Sequence, residues 1–250
     1  MSNEQRRAST PRAGRTSSGA TQSAAPRTSS KASPARRAAL DVCRAVRERD
    51  AYAQDLIASH IDSSRLSPED RAFATLLVRG VTSAQGTLDE VIDRALRSPN
   101  DVQDDVRDAL RIGAYEIMFL DKSLHAAVDQ GVELVRAVQP RAAGLGNAVL
   151  RKVAAMKEDF PFGDPARDVA ALARAYAFPL WLTKRLIADL GAPAAVNFMR
   201  ASNEPAPVHI AVNEIRASAD EVLSAFAEAD SPLEPDGSAG IEVAGCYRVR

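Results

Sequence analysis

The side chains with chemical potential are few and scattered. The histidines are His60, His125 and His209. No two stand at the i, i+4 spacing that sets two imidazoles on one metal, and no cysteine or carboxylate set flanks them at zinc spacing. His60 reads as a surface or cap residue near a helix end. His125 in Ser-Leu-His-Ala-Ala-Val reads as a packing or capping residue at a helix start, and His209 lies on a strand. The cysteines, Cys43 and Cys246, are 203 positions apart, which gives neither a metal pair nor a disulfide framework. A cysteine nucleophile needs a helix N-terminus or a cation to depress its pKa. Cys43 instead falls on an apolar helical stripe and Cys246 in a β-like stretch, so both read as packing residues. No Gly-x-Gly-x-x-Gly loop, phosphate-binding loop or Gly-x-Ser-x-Gly elbow occurs. Gly144-Leu145-Gly146-Asn147 reads as a tight turn at a helix start, and Asp101, Asp104, Asp105 and Asp108 as a solvated helix face. The residues offer no catalytic set, no metal site and no cofactor cradle.

The cations are more informative. The 250 residues hold 32 Lys+Arg against 33 Asp+Glu, a formal net charge of −1. Residues 1–37 carry eight of the cations and one acid, so the remaining 213 residues carry 24 cations and 32 acids. A basic arm on an acidic body points to an anionic partner such as nucleic acid. Each Lys or Arg that meets a phosphate releases counterions and adds salt-sensitive affinity. Arg36 and Arg37 stand where the arm becomes helix, which fixes their positions. Arg151-Lys152 and Lys184-Arg185 are further basic pairs on helices. The competing readings are a solubilising tail for the arm and ordinary helix surface for the pairs. Aromatics make up only 5% of the chain, and no set of them has the spacing of a base-stacking platform.

Other classes drop out. No run approaches 18 apolar residues, so no transmembrane helix is expected. Between Ser2 and Ala39 there is no Leu, Ile, Val, Phe, Met, Trp or Tyr, so the apolar centre of a secretory signal is lacking, as is the amphipathic pattern of a transit peptide. Two unpaired cysteines agree with a reducing, cytoplasmic setting.

The elements that would hold these residues are mostly helices. Residues 1–34, rich in Ser, Thr, Ala, Arg, Pro and Gly, cannot bury enough apolar area to order themselves and read as a disordered basic arm. From 35 to 157 the period is helical. Leu40, Cys43 and Val46 form one stripe, and Tyr52, Leu56 and Ile57 a short second one. Ser67-Pro68-Glu69-Asp70 opens a third helix over Phe73 to Val81. Further stripes run over Leu88–Leu96, Val102–Phe119, Ala127–Val138 and Leu145–Met156. Seven helices in about 120 residues make an all-α bundle. Phe160-Pro161-Phe162-Gly163-Asp164-Pro165 breaks the pattern, and residues 158–204 read as linker helices over Val169–Tyr176, Leu180–Leu190 and Pro193–Arg200. In 205–250 the period switches. Val208, Ile210 and Val212 alternate as a strand, Ala219–Ala229 is helical, and Ile241, Val243 and Tyr247–Val249 suggest strands after the turns at Ser231-Pro232 and Pro235-Asp236-Gly237. The fold expected is mainly α, ending in an incomplete small α+β subdomain.

Several of these segments resemble a known family. Arg36-Arg37-Ala38-Ala39-Leu40, the run Asp70 to Val81, Leu110-Arg111-Ile112-Gly113-Ala114-Tyr115-Glu116-Ile117 and Asn147-Ala148-Val149-Leu150-Arg151-Lys152 are similar to the helices of a NusB-type RNA-binding domain. With His125-Ala126-Ala127-Val128, they look more like the N-terminal domain of the RsmB/Sun/Fmu family of 16S rRNA (cytosine-C5)-methyltransferases. Tyr176 to Leu186 is similar to that family's His-Pro-x-Trp-Leu segment. Asn203-Glu204-Pro205-Ala206-Pro207 leading to Val212-Asn213 resembles the start of its α+β RNA-binding subdomain. Ala211 stands where an Arg is expected, and Ser123-Leu124 replaces the usual Pro ahead of the His. The resemblance implies rRNA as partner, with Arg36, Arg37, Arg151, Lys152, Lys184, Arg185 and Asn213 as contact residues. It also implies a Rossmann-like domain that uses S-adenosylmethionine and a Cys nucleophile. This sequence shows no Gly-rich loop or Pro-Cys motif for that half, so no cofactor is expected in the chain itself. Neither cysteine matches the family's catalytic ones. The alternatives are a stand-alone antitermination-type RNA regulator with a protein partner, and a protein-interaction domain whose arm only aids solubility.

Overall fold

The computed structural model describes residues 32–62, 65–204, 206, 208–235 and 245–249. Most of the basic arm, and the strand positions Ile241 and Val243, lie outside the described residues. Helix α1 (Pro34–Arg49) starts where Ser33 Oγ accepts the Arg36 N–H and Pro34 takes the first turn. It buries Ala35, Ala39, Leu40, Val42 and Cys43, and ends at Asp50, whose left-handed φ of 48° lets its N–H reach the Val46 carbonyl. A short α2 (Ala53–Ile57) runs into one π-turn, Ala58–Asp62.

Helix α3 (Pro68–Ala95) is a single element of 28 residues, where two helices were expected. Ser67, Pro68, Glu69 and Asp70 open it as anticipated, with Ser67 Oγ accepting the Asp70 N–H at 3.2 Å. The expected break after Val81 does not occur because the buried stripe never loses phase. Val81, Ala84, Leu88, Val91 and Ala95 recur at intervals of three and four. Gly86, the one glycine between Val81 and Ala95, costs only about 1 kcal/mol. Together with α4 (Asp104–Phe119), α5 (Leu124–Val138) and α6 (Ala143–Ala155), six α-helices among the described residues replace the seven expected. The core consists of Leu77, Leu88 and Ile92 of α3, Leu110, Ile112 and Ile117 of α4, Leu134 of α5 and Leu150 of α6, all fully buried. Helices α4 and α5 meet at two glycines. A Cβ added to Gly131 would lie 3.3 Å from Gly113 Cα and 2.6 Å from Leu150 Cδ1.

A lattice of ion pairs closes the α1–α3–α4 side. Arg47 donates to Asp105 (2.6 Å) and Asp108 (2.9 Å), and Arg44 to Asp105 (3.1 Å). Arg111 spans both Asp89 oxygens at 2.8 Å and also reaches Asp108. Asp108 therefore departs from the expected solvated face: it is buried, because two guanidiniums replace its water. Cys43 lies beside it, on the wall of a small cleft with Arg47 and Arg111. Burial, reinforced by Asp108 and opposed by Arg111, pushes its thiol up to about 12, so Cys43 stays protonated at neutral pH.

Helices α7 (Val169–Ala175), α8 (Leu180–Leu190) and α9 (Ala192–Asn203) pack around buried Ala171, Leu172, Thr183, Ala195 and Met199. Arg174 ties them to α3, donating to Glu90 (3.2 Å) and to the carbonyls of Pro161 and Phe162. Beyond them, β1 (His209–Ala211), α10 (Ala219–Glu228), β2 (Leu233–Pro235) and β3 (Cys246–Val249) form an antiparallel sheet in the order β1-β3-β2. Ile210 faces Tyr247 in one ladder and Leu233 faces Val249 in the other. Leu233–Pro235 falls within the stretch expected to be turns. A three-residue edge strand ending on Pro235 tolerates the missing N–H.

The glycines separate two signs of one substitution. Gly86→Ala meets nothing within 4 Å and should raise the free energy of unfolding in urea by up to about 1 kcal/mol. Gly131→Ala should lower it by up to about 2 kcal/mol net, because overpacking at about 1–3 kcal/mol offsets and exceeds the propensity gain of about 1 kcal/mol. For Cys43 the folded-state pKa lies above the value of 9.0 for a free thiol. Its stabilising contribution is complete below pH 9 and is lost as pH rises toward about 12. The slope is about −1.4 kcal/mol per pH unit. Denaturant melts of Cys43→Ala across that window should show a shallower fall than the native chain.

Candidate nucleic-acid interface

The two neighbouring arginines of α1 point to different fates. Arg36 turns inward. Its Nε and Nη2 donate to the two carboxylate oxygens of Glu116 on α4, at 2.7 and 2.6 Å. Glu116 is fully buried, so this fork is its charge compensation. Arg36 Nη1 also donates to Ser33 Oγ at 3.0 Å, and its guanidinium carbon lies 5.0 Å from the Phe73 ring centroid on α3. The Lys122 ammonium approaches the same ring, 3.5 Å from its centroid. Burial pushes the Lys122 pKa down, against the pull of Glu116, and Arg36 adds to the fall. Ser33 N–H donates to Gln130 Oε1 of α5 at 2.9 Å. Arg36 is thus a positioning residue that anchors the start of α1 on α3, α4 and α5. Arg37, one residue on, is exposed. Its Nε donates to the Ala32 carbonyl at 2.9 Å, and it has no carboxylate partner among the described residues.

The other expected contact residues lie elsewhere. Arg151 is exposed on α6, with Nε donating to Asn147 Oδ1 at 3.2 Å. Lys152 Nζ donates to the Ala95 carbonyl at 3.0 Å, a cation on the C-terminal end of α3. Phe73, beside Arg36, and Ala95, beside Lys152, are 22 residues apart on that helix. At 1.5 Å per residue they are separated by about 33 Å. The structure therefore does not gather the seven residues into one patch. Lys184 and Arg185 are exposed on α8, where Arg185 Nε pairs with Asp189 at 2.6 Å. Asn213 Oδ1 accepts the Ile215 N–H at 3.1 Å, closing a local turn after β1.

In the sequence Phe73 belongs to a core stripe, and nothing there singles out Glu116 or Lys122. No local spacing links them to Arg36; only the folded bundle brings 36, 73, 116 and 122 together. The histidines behave as anticipated at one position: His60 Nδ1 lies 3.1 Å from the Leu56 carbonyl near a helix end. His125 is exposed at the start of α5. Among the described residues no group of His, Cys, Asp and Glu could hold a metal ion, and no helix is long and apolar enough to cross a membrane.

Removing the buried carboxylate leaves Arg36 enclosed without its counter-charge. Glu116→Ala should cost about 3–5 kcal/mol in urea unfolding. The double variant with Arg36→Met should recover part of that loss, which a double-mutant cycle would read.

Comparison with known proteins gives matches over most of the chain. Residues 33–155 match the NusB family, and residues 178–250 match the RsmF/B-like methyltransferase ferredoxin-like domain. A putative methyltransferase of Mycobacterium tuberculosis is 35% identical over 201 residues, covering 77% of this chain and 44% of that protein. The probable ribosomal RNA small subunit methyltransferase B of Synechocystis is 30% identical over 201 residues, covering 78% and 44%. The crystal structure of PH0851 superposes with a TM-score of 0.60 at 19% identity, over 86% of this chain and 48% of that one, a likeness of fold. The chain spans less than half the length of these curated relatives. The chain thus pairs a stretch that matches the NusB family with one that matches the RsmF/B-like ferredoxin-like domain, and it is similar to part of the proteins named ribosomal RNA small subunit methyltransferase B.

Proposed function

We propose that this chain binds ribosomal RNA, as the RNA-recognition part of an S-adenosylmethionine-dependent 16S rRNA cytosine-C5 methyltransferase. The observation that carries the proposal is the tandem of the two domains, matched over a stretch shared with proteins named ribosomal RNA small subunit methyltransferases. Physical chemistry narrows where the RNA sits. Residues 38–250 carry an excess of eight acids, so phosphates are repelled by most of the surface. Arg37, Arg151, Lys152 and Lys184 lack a carboxylate partner among the described residues and stand on packed helices, and Arg185 needs only to exchange an exposed one. These five are the proposed phosphate contacts. Arg36 acts on Arg37 through the backbone, by fixing the start of α1, and Asn213 closes the turn after β1. The arm ahead of α1 would add long-range attraction, which salt screens.

S-adenosylmethionine would supply the methyl group in the whole enzyme. The described residues do not fit its cradle. That cradle needs a parallel strand, a Gly-rich turn and a helix. Here the sheet is antiparallel, and the turn from β1 to α10 contains no glycine. No step of methyl transfer is assigned to these residues. Activity on rRNA, and a cytoplasmic location, belong to this proposal. A stand-alone antitermination-type regulator is less well supported, because the match over 178–250 has no place in it.

Titrating the purified chain with an rRNA fragment at several salt concentrations tests the proposal. The log–log slope should be clearly negative, at about −0.7 to −0.9 per phosphate contact, and Arg37→Ala should reduce it by about one such step. A slope near zero would sink the proposal in favour of a protein-interaction domain.

A further inference from the structure

Trp181 is the single tryptophan of the chain, and it faces water: 70% of its surface is exposed. Its helix gives no structural reason for an indole there. The inner side of α8 is held by Thr183, which is buried and whose hydroxyl donates to the Pro179 carbonyl at 3.2 Å and lies 3.9 Å from Met199 Sδ of α9. Leu182, Leu186 and Ile187 complete that partly buried side. At 3.6 residues per turn, Trp181 lies opposite Thr183, at the centre of the solvent face. Positions three and four residues on are its neighbours on that face, with Cβ atoms about 5–6 Å away. They are Lys184 and Arg185, both exposed. The only acid on α8 is Asp189, paired with Arg185 at 2.6 Å. Lys184 has no carboxylate partner among the described residues. An aromatic plane flanked by cations at one turn's distance matches the repeat of an unpaired nucleic-acid strand, in which a base and its phosphates alternate. An apolar protein partner would be served by the indole but would have to desolvate two cations beside it.

We infer that Trp181 stacks on an unpaired RNA base while Lys184 and Arg185 hold the adjacent phosphates, so that the solvent face of α8 is a single-strand contact of the chain. This rests on the RNA-binding reading above and specifies which form of RNA this face takes.

Because Trp181 is the sole tryptophan, its fluorescence reports on this face alone. The intact chain is titrated with an unpaired oligoadenylate of about a dozen nucleotides, a length that fits typical single-strand sites. Indole emission and the anisotropy of a labelled strand are followed together. Stacking should quench the emission with the same midpoint as the anisotropy, and a duplex, whose bases are already stacked, should leave it unquenched. Trp181→Ala should weaken single-strand binding by about five- to 150-fold, the range expected for one stacked base. Trp181→Phe should restore part of it, with circular dichroism checking that both variants are folded. Binding without quenching, equal quenching by the duplex, or unchanged affinity in Trp181→Ala would overturn the inference while leaving RNA binding in place, and would mark the face as a protein-docking surface. Absence of any RNA binding by anisotropy would overturn both.

Discussion

A carboxylate with no access to water sits inside the helical bundle, and the start of α1 is built around it. Glu116 needs a positive partner in a fixed place, and Arg36 supplies it with both fork nitrogens. That demand brings α1 against α4, lays the guanidinium over Phe73 of α3, and aligns Ser33 with Gln130 of α5. Side chains on successive residues of a helix point about 100° apart, and with Arg36 turned inward Arg37 falls on the exposed side of α1. The internal ion pair and the proposed external contact are two results of the same placement. An all-apolar joint could be as stable, but it would not fix the rotation of α1 by charge.

The same bookkeeping of charge explains why so little of the surface is open to an anion. Four arginines of the bundle are held internally: Arg44, Arg47, Arg107 and Arg111 neutralise Asp89, Asp93, Asp105 and Asp108 across three helices. Arg174 does so between α7 and α3. A count of cations overstates what a phosphate would meet. Cations with no carboxylate partner among the described residues, such as Arg37, Arg151, Lys152 and Lys184, stand apart on the surface, so attraction is local.

Much of the architecture is legible in the residues because it rests on local rules. Ser67-Pro68-Glu69-Asp70 opens α3, Phe160–Pro165 ends the bundle, and the switch to alternation at Val208 announces β1. The length of α3 is written in the unbroken stripe Val81-Ala84-Leu88-Val91, which Gly80, Gly86 and the polar residues between them do not interrupt. What escapes the sequence is tertiary. Nothing near Arg36 distinguishes it from Arg37, since the carboxylate that claims it is 80 positions away. Asp108 looks like its exposed neighbours until Arg47 and Arg111 arrive from two helices. Leu233–Pro235 becomes a strand only because β3 runs beside it. Trp181 carries no local mark of exposure, because an indole in a helical stripe normally belongs to a core.

The uninterrupted α3 also fixes a length. Its two ends, one under the Arg36–Phe73 contact and the other under Lys152, are held about 33 Å apart by a rod that neither bends at a proline nor breaks at a loop. Because the rod is continuous, the Arg36–Phe73 contact and the Lys152 anchor keep a set spacing, and these two cations cannot draw together on one phosphate.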